Sequence, residues 1–365
     1  MKKLFLALFA FATSAYAQEH HPLEGAWDLN VSMENRNGGV STAPSWLEVR
    51  HSGLKTLTGR FVADGGSARP ISEVFFKDGH ISFKIPPQWE LTEVQMSFEG
   101  ELKDGKLSGT ITKPNGKAMA FTGVRAPSLW RTAEPVWQKP ITLFNGKDLT
   151  GWKALGPKNQ WIVENGVLKS PASGANLCTE QKFNDFKLHI EFRLPPGSNS
   201  GVYLRGRYEV QVEDSFGKEP YSIYLGGIYG FIDPLFQAAK PSGEWQTYDI
   251  TLVGRKVSVT LNGQKVIVEQ NIPGITGGAM DSDEAAPGPI MMQGDHGPVE
   301  YDALDDYPAF CIRAAVGGQH LFAQADHLVA LGVELDRLRG VVVGDQQVAA
   351  ALHQAQHRVM DVEGD

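Results

Sequence analysis

Residues 248–268 decide the fold class of this chain. They contain Tyr248-Asp-Ile-Thr-Leu252, Lys256-Val-Ser-Val-Thr-Leu261, the dipeptide Asn262-Gly263 and Lys265-Val-Ile-Val268. Apolar and polar side chains alternate in the first two runs, as they do in a strand that buries one face. Asn-Gly provides the positive φ angles that a two-residue hairpin needs. The stretch therefore predicts consecutive antiparallel strands.

The same alternation extends from residue 141 to residue 301. It predicts further strands at 141–144, 161–163, 167–168, 186–192, 201–204 and 208–212. Strands of period two, separated by turns about every 8–12 residues, are typical of a sandwich of two sheets. We predict an all-β domain over residues 141–301.

Residues 22–125 predict a second, smaller β domain. Alternating runs at 46–50, 74–76, 81–85 and 107–111 are separated by turn residues. Asp78-Gly79 and Asp104-Gly105 place Asp-Gly where a tight hairpin is expected. The pattern indicates a small β-barrel or β-sandwich, and a role in glycan binding or in stabilising its neighbour both stay open. A linker over 126–140 follows, with Pro127, Pro135 and Pro140 interrupting regular pairing.

The first seventeen residues predict a signal peptide. Lys2 and Lys3 precede an apolar stretch at 4–11, and Ala15-Tyr16-Ala17 resembles a cleavage site. We therefore expect a periplasmic or secreted protein that leaves the membrane after cleavage. The net charge is −8, and removing two Lys with the leader makes it −10, so we expect no nucleic-acid partner. Two cysteines, Cys178 and Cys311, cannot form a disulfide framework.

The tail, residues 302–365, has a different composition. It contains no Lys, Asn, Ser, Thr or Trp, although all five types recur before Tyr301. One interpretation is a helical extension, since 321–339 has a helical apolar pattern. We favour the other, a reading frame altered after Tyr301. If the residues given after Tyr301 are those of the protein, we expect the sandwich to lack its last strand. Tryptic peptides of the native protein from Ala314 onward would contradict the altered frame.

Several blocks of residues 141–301 resemble one family, in order along the chain. They include Leu143-Phe-Asn-Gly-Lys-Asp-Leu-Thr-Gly-Trp152, Asn199-Ser-Gly-Val-Tyr-Leu-Arg205, Lys240-Pro-Ser-Gly-Glu-Trp-Gln-Thr-Tyr-Asp-Ile250 and Gly288-Pro-Ile-Met-Met-Gln-Gly-Asp-His-Gly-Pro-Val-Glu-Tyr301. The region is similar to the bacterial 3-keto-disaccharide hydrolases. The resemblance implies a concanavalin-like jelly-roll fold and cleavage of the glycosidic bond in 3-keto-glycosides.

The candidate site follows from strand alternation. In Tyr208-Glu-Val-Gln-Val-Glu213, Val210 and Val212 point one way, whereas Glu209, Gln211 and Glu213 point the other. An ordinary solvated strand face is the alternative. We expect a substrate to contact residues of this run, of the segment just before it and of later Gly-flanked blocks. These are Asn199, Tyr203, Gln211, Asp214, Tyr229, Glu244, Trp245, Gln293 and Asp295.

The resemblance also implies a reaction. A ketone at C3 acidifies the hydrogen at C2, so a base can remove it and the enolate can expel the C1 substituent. Water addition then completes net hydrolysis. We predict His296 as the base or acid, Glu209 or Glu213 as the second acid–base group, and Arg205 or Lys240 as the enolate's partner. A separate sugar 3-oxidoreductase would supply the ketone.

The same residues also leave other functions open. No organic cofactor is indicated, and a divalent metal stays open, with donors among Glu209, Gln211, Glu213, Asp214, Asp295 and His296. Four residues along a flat strand separate two Cα atoms by about 13 Å, too far for Glu209 and Glu213 to act as a retaining glycosidase pair. The competing function is a non-catalytic, lectin-like carbohydrate-binding protein.

Overall fold

A computed structural model of the chain describes residues 21–34, 39–302 and 310–316. These residues form twenty-two β-strands and contain no α-helix. None of them forms a helix long and apolar enough to cross a bilayer. The predicted all-β class is confirmed, with a barrel followed by a two-sheet sandwich. The predicted signal peptide and the predicted helix at 321–339 lie outside the described residues.

The strands are numbered in chain order. They are β1 (Gly25–Glu34), β2 (Val40–Ser52), β3 (Thr56–Val62), β4 (Arg69–Lys77), β5 (His80–Ile85), β6 (Met96–Lys103), β7 (Lys106–Thr112), β8 (Ala118–Arg125), β9 (Ile141–Thr142), β10 (Trp152–Leu155), β11 (Ile162–Glu164), β12 (Val167–Ser170), β13 (Asn176–Thr179), β14 (Phe186–Arg193), β15 (Asn199–Leu204), β16 (Tyr208–Glu213), β17 (Gln246–Val253), β18 (Lys256–Leu261), β19 (Gln264–Asn271), β20 (Met291–Met292), β21 (Val299–Tyr301) and β22 (Phe310–Ala314).

Strands β1 to β8 form a closed antiparallel barrel in chain order, so the smaller domain is a barrel and not a sandwich. Closure pairs β1 with both β2 and β8. The Asp-Gly hairpins form as predicted, because Asp78 and Asp104 adopt φ angles of 52° and 51° before their glycines. The interior is filled by buried apolar side chains that include Trp27 and a stack of Phe83 on Phe98.

Two sheets form the sandwich. The five-stranded sheet has the order β10-β13-β20-β15-β16. The nine-stranded sheet runs β11-β12-β21-β14-β17-β18-β19, with β22 and β9 added beside β14. The strands predicted around 248–268 are β17, β18 and β19, and Asn262 and Gly263 join β18 to β19 at φ angles of 51° and 77°. One large apolar core lies between the sheets.

The expectation that the sandwich lacks its last strand is wrong. Tyr301 pairs with Phe192 of β14, and β22 pairs farther along the same strand, with Phe310 opposite Ile190. If the pairing continued without interruption from Tyr301, residue 303 would lie opposite Ile190. Phe310 lies there instead, so the chain has seven extra residues between the two paired segments. Phe310 and Ile312 belong to the central core, and their burial explains why a segment of unusual composition is still held in the sheet.

The barrel and the sandwich meet over a buried contact. Trp46 of β2 lies in the core of the sandwich and packs edge-on against Phe231, with ring centroids 5.3 Å apart. In the β3–β4 loop, the carbonyl of Asp64 accepts a hydrogen bond of 3.0 Å from Gly278 N. This contact places one barrel loop beside the five-stranded sheet.

Candidate functional site

Strands β15 and β16 build a face of polar side chains. Their antiparallel register sets Tyr203 opposite Glu209, and alternation turns the intervening Val210 and Val212 into the apolar core, as predicted. We call the opposite side of these strands, with the loop residues that adjoin it, the polar face. Its members are Asn199, Tyr203, Glu209, Gln211, Glu213, Tyr229, Gln293, Asp295 and His296.

Glu209 is a carboxyl group that is almost completely buried in this face. Its exposed fraction is 2%, and burial raises its pKa to about 8, against the lowering effects of the Tyr203 hydrogen bond and the His296 charge. Gly201 makes room for it, because a Cβ at that position would lie 2.2 Å from Glu209 Oε1. A carboxyl group with such a pKa is largely protonated at neutral pH.

The hydrogen bonds of Tyr203 agree with a protonated Glu209. The Tyr203 hydroxyl lies 2.9 Å from Glu209 Oε2 and 2.9 Å from the carbonyl oxygen of Gly277. A tyrosine hydroxyl has one proton, and a backbone carbonyl only accepts. When Tyr203 donates to Gly277, its contact with Glu209 is a hydrogen bond only if the carboxyl group donates. The arrangement therefore favours the neutral acid.

Two residues beside β20 supply a second proton-transfer group. Asp295 Oδ1 lies 2.7 Å from His296 Nδ1, so the carboxylate orients the imidazole. This hydrogen bond is the main cause that raises the pKa of His296 above 6.5, and the charge of Glu209 adds to it. The His296 side chain is 52% exposed. A solvent-reachable imidazole thus stands within electrostatic range of a buried carboxyl group.

Gln293 completes the buried part of the face. Its Nε2 lies 3.5 Å from the Tyr203 hydroxyl, and its backbone N donates to the Gly201 carbonyl. The Gln293 Oε1 atom is buried and has no hydrogen-bond partner among the described residues. An unpaired buried acceptor is costly, so this amide oxygen is a ready partner for a ligand hydroxyl.

The other end of the polar face is more open. Glu213 lies 3.4 Å from Asn199 Nδ2 and 3.5 Å from Lys218 Nζ, and burial raises its pKa. Burial also raises the pKa of Tyr229 to about 12, with the charges of Glu209 and Glu213 adding to the effect. The Tyr229 hydroxyl therefore keeps its proton at neutral pH and can donate it in a hydrogen bond.

The structure places the remaining predicted residues on β16 and its turn in supporting positions. Gln211 is buried, and its Oε1 accepts a hydrogen bond from Val212 N. Asp214 Oδ2 accepts one from Gly197 N, which ties the β14–β15 turn to the end of β16. Gln211 belongs to the polar face and Asp214 adjoins it, and these contacts hold the backbone of the face.

Arg205 does not face the same way as Glu209. It adopts a positive φ of 53° in the β15–β16 turn, which rotates its side chain to the core side. There it is fully buried, lies over the Tyr208 ring and donates to the Gly254 carbonyl at 2.9 Å. We therefore assign it no part in binding an enolate.

Lys240, Glu244 and Trp245 form a separate group at the start of β17. Lys240 Nζ donates to the Trp245 carbonyl at 2.9 Å, and Arg193 lies over the Trp245 ring at 4.7 Å. Glu244 is exposed in the same turn. Within the part of the chain that the structure describes, these side chains show no contact with Glu209 or His296.

Sequence reasoning missed Lys218, Gly201 and the Gly277 carbonyl. Lys218 sits in an ordinary turn, and nothing in its neighbours distinguishes it from a solvated lysine. The alternation that marks Glu209 also places Gly201 on the same face, which was the available signal. In residues 21–34, 39–302 and 310–316, no group of three or more His, Cys, Asp or Glu side chains is arranged to hold a metal ion.

The part of the chain that forms the sandwich matches a known family. Residues 139–305 match the profile of the 3-keto-alpha-glucoside-1,2-lyase-like domain. The match confirms the resemblance predicted for residues 141–301, and it covers all strands of the sandwich except β22.

Individual relatives match over the same domain. A 3-keto-disaccharide hydrolase of Bacteroides thetaiotaomicron is 26% identical, over 35% of this chain and 57% of the relative. The chain thus spans little more than half the length of that curated protein. A crystal structure of a “putative glycosyl hydrolase” from Parabacteroides distasonis is 29% identical, covers 51% of this chain and 93% of its own, and superposes with a TM-score of 0.41.

Proposed function

We propose, on the premise that residues 139–305 match the 3-keto-alpha-glucoside-1,2-lyase-like domain, that this protein cleaves the glycosidic bond of 3-keto-glycosides. The observation that carries the proposal is that the buried Glu209, whose raised pKa favours its protonated form, shares one polar face with the Asp295–His296 pair. Proton abstraction next to a ketone and protonation of a leaving oxygen need one base and one acid. The face offers one of each.

The proposed reaction is an elimination followed by hydration. His296 removes the hydrogen at C2, and the electron pair forms the enolate between C2 and C3. The enolate then expels the C1 oxygen, which takes a proton from Glu209, and a double bond forms between C1 and C2. Water adds across that bond, with hydroxide at C1 and a proton at C2. The products are a free 3-keto-sugar and the released alcohol.

Binding groups are assigned from their contacts. The Tyr229 hydroxyl, whose pKa the charges of Glu209 and Glu213 help to raise, is our candidate donor to the enolate oxygen. The unpaired Gln293 Oε1 would accept a hydroxyl of the sugar. We also propose that the protein acts after export, because the first seventeen residues have the composition of a signal peptide.

An assay of the purified chain with a panel of 3-keto-glycosides tests the proposal. We expect release of free 3-keto-sugar or of the unsaturated intermediate, and no action on the same glycosides without the ketone. Binding of unoxidised glycans without any turnover of the keto-sugars would favour the lectin-like function and overturn the hydrolase.

The pH profile gives a sharper prediction. Activity requires neutral His296 and protonated Glu209, so it rises as pH passes the raised pKa of His296 and falls above about 8. Asp295→Asn removes the main cause of the raised pKa of His296, so we expect the acidic limb of kcat/KM to move to lower pH. The alkaline limb should move less in the same direction, because the charge of Asp295 is only a minor cause of the raised pKa of Glu209.

Asp249→Asn is the matched control for this shift. Asp249 Oδ1 also lies 2.7 Å from the Nδ1 of a histidine, His189, on the nine-stranded sheet. We expect its profile to equal that of the unmodified protein. An acidic limb that does not move in Asp295→Asn would show that another group is the base.

A further inference from the structure

The barrel contributes a tryptophan beside the polar face. The carbonyl of Gly277, which accepts from Tyr203, belongs to a loop that packs on the barrel's β3–β4 loop. The contact is close, since a Cβ on Gly277 would lie 2.2 Å from the Gly66 carbonyl oxygen. A Cβ on Gly66 would in turn lie 2.5 Å from Trp89 Nε1. Trp89 is thus joined to Glu209 through Gly66, Gly277 and Tyr203.

Trp89 is exposed although its backbone is tightly held. Its exposed fraction is 64%. Glu90 Oε2 accepts hydrogen bonds from the backbone N of Gln88 at 2.7 Å and of Trp89 at 3.1 Å. Glu90 Oε1 lies 3.0 Å from Arg69 NH1, and Arg69 is buried. These contacts hold the backbone of the β5–β6 turn in place without a ligand.

A second contact of the same β3–β4 loop borders this region. Ser67, which accepts a hydrogen bond of 2.5 Å from Gln88 Nε2, packs on Gly230, the neighbour of Tyr229. The β3–β4 loop therefore touches both backbone segments that flank the polar face, at Gly230 and at Gly277. The barrel forms part of the rim of the candidate site.

We propose that Trp89 is the platform of a second sugar subsite, which binds the leaving-group ring of the substrate. This inference rests on the proposed function. The ring faces of sugars are apolar and stack on aromatic side chains, and a preordered aromatic group loses little conformational entropy on binding. Because Gly66, Gly277 and Tyr203 stand between Trp89 and Glu209, we infer that a ligand reaching both residues extends beyond one ring. The barrel then selects disaccharides over glycosides with small leaving groups.

The test compares two substrates in two variants. We expect Trp89→Ala to lower kcat/KM about tenfold for a 3-keto-disaccharide and to leave a methyl 3-keto-glucoside unaffected. Trp89→Phe should retain most of the activity on the disaccharide. Trp130→Ala is the control, because Trp130 is equally exposed, at 62%, but lies in the linker beside Lys256. We expect it to change neither substrate.

The outcomes separate the subsite from the reaction. Equal losses on both substrates in Trp89→Ala, or no loss on either, would overturn the subsite while the reaction stands. If the unmodified protein turns over neither substrate, the proposed function fails, and calorimetric binding of the unoxidised disaccharide decides the subsite. Weaker binding in Trp89→Ala but not in Trp130→Ala would support it, and unchanged binding in both would overturn it.

Discussion

Glu209→Gln should lower turnover of 3-keto-glycosides with alkyl or sugar leaving groups by about 10³-fold, within the usual range for loss of a general acid. Glutamine has the shape of the protonated carboxyl group and can still donate to the Tyr203 oxygen, so the fold and the buried hydrogen bond are retained. It cannot release a proton to the leaving oxygen. The measurement is kcat/KM near pH 7, where the raised pKa keeps Glu209 protonated.

The leaving group distinguishes an acid from a merely structural residue. A p-nitrophenolate needs no protonation, so we expect Glu209→Gln to be far less impaired on a p-nitrophenyl 3-keto-glucoside. Glu191→Gln, on β14 of the other sheet, is the matched control and should leave both rates unchanged. Equal impairment of Glu209→Gln on both leaving groups would contradict the acid role.

The polar face was predictable because strands encode their faces in alternate residues. The run from Tyr208 to Glu213 specifies which carboxyl groups share a side, and the register with β15 then adds Tyr203. Alternation does not predict side-chain direction where the chain turns. Arg205 follows the pattern of β15 in the sequence, but a left-handed backbone angle in the turn directs its side chain into the core.

Ionisation states also lie beyond a sequence pattern. The pKa of Glu209 depends on burial by neighbouring loops and on the Gly277 carbonyl that competes for the Tyr203 proton. These groups come from segments about 70 residues apart in the chain. The last strand was not predicted for a related reason. Strand β22 pairs with β14 only after seven extra residues, and the burial of Phe310 and Ile312 in the core is seen only in the structure.

A second buried carboxyl group lies where the barrel meets the sandwich. Asp28 of β1 is 2% exposed and faces Glu284, which Arg255 binds through both carboxylate oxygens at 2.8 Å. The Tyr208 hydroxyl also donates to Glu284. Burial, together with the neighbouring Glu284, raises the pKa of Asp28 far above its usual range. The folded protein therefore holds a proton on Asp28 that the unfolded chain releases.

This proton makes stability depend on pH in a definite direction. Below the ordinary pKa of an aspartate both states hold the proton, whereas above it only the folded state does, so the free energy of unfolding falls as pH rises toward the raised pKa. The slope for one proton is about 1.4 kcal/mol per pH unit, or about 2.7 kcal/mol between pH 6 and pH 8. Asp28→Asn needs no proton and can still donate to Glu284, so we expect it to remove this slope. The measurement is urea unfolding at several pH values.

Asp78→Asn is the control for the change of charge, because Asp78 is exposed in a barrel hairpin where asparagine also suits the positive φ. Its slope should equal that of the unmodified protein. The difference in unfolding free energy between Asp28→Asn and the unmodified protein should widen as pH rises, since the cost of holding the proton grows with each unit. A constant difference would mean that Asp28 does not carry the proton. A widening difference would show that Asp28, where the barrel meets the sandwich, is the group whose held proton makes the folded protein less stable under alkaline conditions.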